Sequence, residues 1–311
     1  MLRQLTCLLL LAAASASAQR LPFEPGEGNF SADALRQGVS ATEAQCGAVA
    51  GAVWAQPPSG AGECIRYWAA GLQAGTAQRR VLAYIPGDQL VFDSPDAGYT
   101  GRNPRSLQAA TDTMHAQLGV PVILLSRPGI FGSSGDHKER RREMEPRLVS
   151  AALDAIKARH GIAEWSLAGL SGGGHTVASL LAWRSDITCA VAASATASPK
   201  LRWTALGRDR DFTGHADSWE PLEHLRREAF HPRLRVFVLG DPKDSNVPWS
   251  TQLPLAVKLK ELGAAVEVVE GEGSDMQRHN LGGSARLLGA MCLRGDTTPE
   301  ILQRAAKGLK G

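Results

Sequence analysis

A serine between glycines, a histidine and an aspartate are the residues of this chain best suited to breaking an acyl bond, and they occur in the order Ser171, Asp244, His279. Ser171 sits in Gly169-Leu170-Ser171-Gly172-Gly173, after the stretch Trp165-Ser166-Leu167-Ala168 and before Gly174-His175-Thr176-Val177-Ala178-Ser179-Leu180. This reads as a strand, a tight turn and a helix. A serine held at the tip of such a bend leaves no room for side chains two positions before and after it. Its hydroxyl then projects outward, and the Gly172 N–H points into the same space from a helix N-terminus, ready to hold a developing oxyanion. The pentapeptide by itself also fits a glycine-rich phosphate loop. Its flanking elements and its partners downstream favour a nucleophile.

A serine nucleophile needs a base, and the base needs an acid to hold its tautomer. Residues 234–240, Leu-Arg-Val-Phe-Val-Leu-Gly, read as a strand followed by Asp241-Pro242-Lys243-Asp244-Ser245-Asn246-Val247-Pro248. Residues 264–270 read as the next strand, followed by a loop that ends Asp275-Met276-Gln277-Arg278-His279. Loops at the carboxyl ends of parallel strands converge, so Ser171, Asp244 and His279 are brought together from far apart in sequence.

The remaining elements supply the frame. Strands are expected at 63–72, 80–86, 120–126 and 188–194, and helices near 105–118, up to 160, to about 184, and at 251–262, 281–293 and 299–309. Short strands alternating with helices predict an α/β fold whose mostly parallel sheet is covered on both faces. The charged run from His137 to Glu145 reads as a solvated lead-in to a helix. Between Ser194 and Leu234 lie 39 residues with one helix expected around 221–227, enough for a small cap segment at most. That segment carries Lys200, Arg202, Arg208 and Arg210 beside Trp203. They either face water, as surface cations usually do, or steer an anionic or aromatic substrate group.

Residues 1–18 read as a secretory signal peptide, with Arg3, an apolar run from Leu5 to Ala14 and a small-residue cleavage site at Ala16-Ser17-Ala18. The expected destination is the periplasm or the exterior, with residues 19–62 as an N-terminal surface segment and 63–311 as one catalytic domain. Four cysteines remain after cleavage, an even number in an exported chain, and three pairings are open to them. Cys46 and Cys64 bracket a Gly/Ala/Pro-rich loop and are expected to pair, leaving Cys189 for Cys292. A formal net charge of +3 implies neither a nucleic-acid nor a membrane partner. The scattered histidines show no metal-ligand spacing, so neither metal nor cofactor is expected. His175 is read as a packing residue rather than one that orients substrate. Trp203, Trp219 and Trp249 are read as buried anchors before cleft residues.

In these motifs and their order the chain resembles the α/β-hydrolase fold family over roughly Val81 to Cys292. Gly240-Asp241-Pro242-Lys243-Asp244-Ser245-Asn246-Val247-Pro248 is similar to the acid-loop pattern Gly-x-x-x-Asp-x-x-Val-Pro of dienelactone-hydrolase-like and prolyl-oligopeptidase-like members, which implies Asp244 rather than Asp241 as the acid. Arg127-Pro128-Gly129-Ile130-Phe131-Gly132-Ser133 resembles the loop that many members carry after their fourth strand. Members often have His-Gly after the third strand, next to the second oxyanion donor. Here the residues are Pro86-Gly87-Asp88-Gln89, so the resemblance implies Asp88 or Gln89 as that donor, with the carboxylate turned away. The implied activity is that of a serine hydrolase on small to medium carboxylic esters. The alternatives are a peptidase acting on short peptides and a catalytically silent binding protein of the same fold.

Overall fold

Apolar character and burial coincide along eight stretches, which pair into one sheet in the computed structural model, where residues 19–72 and 75–311 are described. The strands are β1 (Ala52–Ala55), β2 (Glu63–Ala70), β3 (Gln78–Ile85), β4 (Val122–Leu125), β5 (Ile162–Leu170), β6 (Ile187–Ala193), β7 (Arg235–Gly240) and β8 (Ala265–Glu270). Across the sheet they run β1-β2-β4-β3-β5-β6-β7-β8. β1 is antiparallel to β2, and β2 to β4; every pair from β4 onward is parallel. The expected signal peptide, residues 1–18, lies outside the described residues.

Parallel neighbours need crossovers, and the helices that provide them cover both faces, so the strands must be apolar on both sides. The helices are α1 (Ala32–Gln37), α2 (Glu43–Gly47), α3 (Pro104–Leu118), α4 (Met144–His160), α5 (Gly172–Leu180), α6 (Pro199–Ala205), α7 (Pro221–His224), α8 (Trp249–Glu261), α9 (Gly282–Arg294) and α10 (Thr298–Ala306). On β3, Val81, Ala83 and Ile85 join one core with Leu148 and Leu153 of α4, Val177 of α5 and Leu259 of α8. Leu82 and Tyr84 face a second core with Leu107 and Met114 of α3 and Leu288 of α9. Local signals mark the helix ends. α3 opens on an Asn103–Ser106 capping box with Pro104 in its first turn, and it stops at Gly119, φ 65°.

Two expectations change. Residues 19–62 do more than wrap the surface: they supply β1, and Phe23, Phe30, Leu35 and Val39 are buried. β1 is four residues long, too short to show a period, and it becomes a strand through pairing with β2. The segment from 195 to 233 contains α6 as well as α7, because Ser198 accepts a hydrogen bond from Leu201 N–H and Pro199 starts the first turn. Among the described residues no helix is long and apolar enough to cross a membrane.

Both expected disulfides are present. Cys46–Cys64, with Cα atoms 5.3 Å apart, fastens α2 to β2, and Cys189–Cys292, at 6.3 Å, ties β6 to α9 across a sequence separation of 103 residues. Cross-linking so long a stretch restricts the unfolded chain. Removing the second bridge with Cys189→Ala and Cys292→Ala should therefore lower stability by about 2–4 kcal/mol, read from urea unfolding, while the fold survives. Peptide mapping without reduction should recover these two pairs.

Candidate active site

The end of β5 delivers Ser171 in a strained backbone conformation, φ 56° and ψ −116°, before α5 begins. A non-glycine residue there costs on the order of 1–3 kcal/mol and persists only when its surroundings impose it. Ser171 N–H donates to Ala193 O of β6 at 2.9 Å, and Ser171 O accepts from His175 N–H at 3.0 Å. Close contacts account for the glycines on either side. A Cβ on Gly169 would run into the carbonyl of Gly173, and one on Gly173 into the carbonyls of Ile85 and Pro86.

His279 and Asp244 stand beside this turn. His279 Nδ1 and Asp244 Oδ2 are 2.8 Å apart, both residues are buried, and His279 Nε2 is buried without a partner among the described residues. Asp244 Oδ1 accepts from the N–H groups of Asn246 (2.8 Å) and Val247 (2.9 Å), which fixes the carboxylate. The backbone of His279 is held twice: its N–H donates to Asp275 Oδ1 at 2.6 Å, and its carbonyl accepts from Ser194 Oγ at 2.6 Å. Asp241 serves elsewhere, accepting from Gly273 N–H (2.9 Å) and Arg278 Nε (2.8 Å) and so joining the two loops. Ser171 and His279 line one cleft of about 1100 Å³. No hydrogen bond joins Ser171 Oγ to His279 Nε2 among those of the described residues, a contact that in hydrolase sites tightens once substrate is bound.

The Pro86–Gln89 loop lies across the mouth of the elbow. Gln89 N–H is taken by His137 Nε2 at 3.2 Å, whereas Asp88 N–H makes no hydrogen bond among the described residues. Gly172 opens α5, so its N–H has no partner four residues back. A Cβ on Gly172 would collide with the Asp88 carboxylate. That carboxylate is in ion pairs with Arg127 (2.9 Å), Arg140 (3.1 Å) and Arg141. Burial pushes Asp88 up, but the charges of Arg141, Arg140 and Arg127 outweigh it and hold the carboxyl well below the usual range.

This network corrects one expectation. The run from His137 to Glu145 is a solvated lead-in only in part: Glu143 and Met144 are exposed, but His137, Arg140, Arg141 and Glu145 are buried. Arg127 bridges Asp88 and Glu145, and Arg141 bridges Asp88 and Asp211 of the cap segment. Glu145 Oε2 in turn accepts from Arg141 N–H at 2.7 Å. Charge density in a sequence reads the same whether the charges meet water or one another, and only the fold supplied the partners. His137, Arg140 and Arg141 had no separate signal in the sequence beyond that density, and Arg127 was marked only as the start of the loop after β4.

The remaining candidates divide. His175 is 0% exposed and sits away from the cleft, its Nε2 donating to Trp219 O at 3.0 Å, in line with a packing role. Burial pulls its imidazole down to about 4. Trp203 is buried, Trp249 packs on Gly240 and Trp219 stacks on His224; none lines the cleft. Lys200 and Arg210 are exposed, whereas Arg202 and Arg208 line the cleft. Among the described residues no group of three or more His, Cys, Asp or Glu side chains is disposed to hold a metal ion.

No protein-family model matches the sequence, and no curated protein does. Solved structures do match. Est1E from Butyrivibrio proteoclasticus, with ferulic acid bound, aligns at TM-score 0.54 and 13% identity over 82% of this chain and 99% of that one. Prolyl oligopeptidase B from Galerina marginata aligns at 0.54 and 15% over 79% of this chain but 36% of its own. The acylaminoacyl peptidase of Pyrococcus horikoshii gives 0.53 and 12%, over 83% and 41%. At these identities the likeness shows architecture: the chain has the α/β-hydrolase fold, with esterases and serine peptidases as structural neighbours.

The electrostatics make two tests. Asp88→Asn removes one anion from a buried cluster and leaves three arginines short of a charge, so it should destabilise the protein by about 3–5 kcal/mol in urea unfolding. For His175, a folded-state value near 4 against about 6.5 unfolded means that the unfolded chain binds the extra proton between those limits. Its contribution is complete above pH 6.5 and is lost as pH falls towards 4, about 3 kcal/mol in all. His175→Gln should flatten that part of the stability profile, measured as urea midpoints from pH 4 to 8.

Proposed function

We propose that this α/β-hydrolase-fold protein is an exported serine hydrolase that cleaves small to medium carboxylic esters through an acyl-enzyme. The observation that carries this reading is His279: one ring nitrogen bound to a fixed carboxylate, the other buried and unpartnered in the cleft wall beside a strained serine. With Nδ1–H donating to Asp244, the lone pair on Nε2 is free to accept the Ser171 proton. Ser171 Oγ attacks the ester carbonyl, and the N–H groups of Gly172 and Asp88 receive the oxyanion. The tetrahedral intermediate collapses, the C–O bond to the alcohol breaks, and His279 returns the proton to the departing alkoxide. Water then enters, gives a proton to His279 and attacks the acyl-enzyme; as the acid leaves, that proton returns to Ser171.

The three arginines on the Asp88 carboxylate support its backbone as a donor, because they offset an anion that would otherwise repel a developing negative charge. The two disulfides fit an oxidising compartment. α6 and α7, of seven and four residues, form no separate lid domain, which favours short, soluble acyl groups over long lipid chains.

Ser171→Ala should abolish labelling by a fluorophosphonate and lower kcat at least about 10⁴-fold with the circular-dichroism spectrum unchanged. His279→Ala should lose a comparable amount, since members of one catalytic unit do not add. A panel of nitrophenyl acetates to decanoates beside aminoacyl-nitroanilides reads the substrate class. Preference for the anilides would replace the esterase reading by a peptidase one, and an unlabelled Ser171 would end both.

A further inference from the structure

The buried network beside the elbow is electrically balanced: Asp88, Glu145 and Asp211 face Arg127, Arg140 and Arg141. Arg202 of α6 is the cation left over. It is 7% exposed, and no carboxylate among the described residues lies within ion-pair distance of it. Its Nε donates to Asn246 O at 3.0 Å and an Nη to Asn246 Oδ1, both neutral acceptors, while its other Nη makes no hydrogen bond among the described residues. Burial and the charge of Arg141 pull the guanidinium down to about 10, so it stays protonated at neutral pH.

Arg202 and Arg208 both line the cleft that holds Ser171 and His279. They share the Phe212 ring, their guanidinium carbons 4.4 and 4.3 Å from its centroid. Arg208 also has no ion-pair partner among the described residues, and its Nε is buried without an acceptor. Asp211, Asp88 and Asp244 attract Arg202 only from beyond ion-pair distance, and a buried guanidinium with no carboxylate in contact is unfavourable unless something supplies one, because at so low an exposure water supplies little. Guanidinium groups bind carboxylates through two parallel hydrogen bonds, so the chemistry that completes this corner is a carboxylate.

We propose that Arg202, seconded by Arg208 across Phe212, forms an anion subsite, and that the substrates are carboxylic esters bearing a free carboxylate. The inference rests on the reading of Ser171 and His279 given above and narrows its substrate class.

Two isosteric pairs test it: 4-nitrophenyl hemisuccinate against 4-nitrophenyl 4-methylpentanoate for a carboxylate in the acyl half, and 4-carboxyphenyl butyrate against 4-carbamoylphenyl butyrate for one in the alcohol half. In at least one pair the anionic ester should have a kcat/KM about 10- to 100-fold higher, chiefly through KM, and 0.5 M salt should lower that ratio by about two- to threefold, since a buried pair is screened less than an exposed one. Arg202→Met should bring the ratio close to one, Arg202→Lys should restore part of it, and Arg208→Gln should lower it by about threefold. A purely structural role for Arg202, holding the Asn246 loop, would depress both members of a pair equally and leave the ratio intact, which would overturn the proposal.

Ratios near one in both pairs for the unaltered protein would also overturn it. In that case labelled Ser171 and turnover of the neutral esters would leave the serine-hydrolase reading standing. If no ester is turned over, calorimetry on Ser171→Ala with the second pair still decides the matter. Tighter binding of 4-carboxyphenyl butyrate by about tenfold, abolished by adding Arg202→Met, supports the subsite, and equal affinity overturns it. Should Arg202→Met fail to fold, Arg208→Gln and the salt dependence decide between the same two outcomes: a ratio that falls with either supports the subsite, and one that neither moves overturns it.

Discussion

The carboxylate of Asp88 is the point on which this site depends. Three arginines from two parts of the chain converge on it: Arg127 from the loop after β4, and Arg140 and Arg141 from the run before α4. Arg141 extends the network to Asp211 and so to the cap segment. None of these segments is held by the sheet ladder where they meet, and hydrogen-bonded charges provide the order that strands provide elsewhere. Buried ion pairs add little net stability compared with apolar packing, but each member becomes indispensable once the others are in place. The arrangement therefore fixes geometry more than it adds to stability. What it fixes is the Pro86–Gln89 loop, with Gln89 N–H spent on His137 and Asp88 N–H left free beside Gly172 among the described residues.

The sheet explains why that loop meets the elbow. From β3 the chain crosses to β4 on one side and then returns to β5 on the other, so the connections that leave the paired carboxyl ends of β3 and β5 run in opposite directions and leave a crevice above them. The Pro86–Gln89 loop leaves β3 and the serine turn leaves β5 at that crevice. Close approach makes the turn glycine-rich: the Gly173 Cα lies against the Ile85 and Pro86 carbonyls, and the space a side chain at 172 would need is filled by the Asp88 carboxylate. The strain at Ser171 is held by hydrogen bonds to β6 and α5 on either side of it. Backbone strain, glycine spacing and the charge network are thus parts of one packing solution.

Charge is distributed unevenly over the cleft. On the elbow side the buried charges of Asp88, Glu145 and Asp211 are matched by those of Arg127, Arg140 and Arg141. On the cap side two arginines share an aromatic ring and have no carboxylate within ion-pair distance among the described residues. The cap segment is attached to the domain through Arg141–Asp211 and through Trp219, whose N–H donates to Arg141 O at 2.7 Å and whose carbonyl accepts from His175. A segment with only two short helices can hold a fixed position because these polar anchors replace a core of its own.

Much of this was legible in the residues. Apolar stretches of strand length, helix caps such as Asn103 with Pro104, and the glycines around Ser171 are local signals, and local backbone preference decides them wherever they occur. The order Ser171, Asp244, His279 at three strand ends was readable for the same reason, because strand ends follow from strands. The even cysteine count and the loop between Cys46 and Cys64 pointed to the pairing found. Tertiary structure decided what depends on partners distant in sequence. β1 exists because β2 pairs with it. Arg140 and Arg141 are buried because Asp88 and Asp211 reach them, and a charged side chain has the same sequence signature in water as in an ion pair. Of the four cations in the first half of the cap segment, Arg202 and Arg208 turn to the cleft while Lys200 and Arg210 meet solvent, since the direction a side chain takes from a short helix or loop is set by what packs against it.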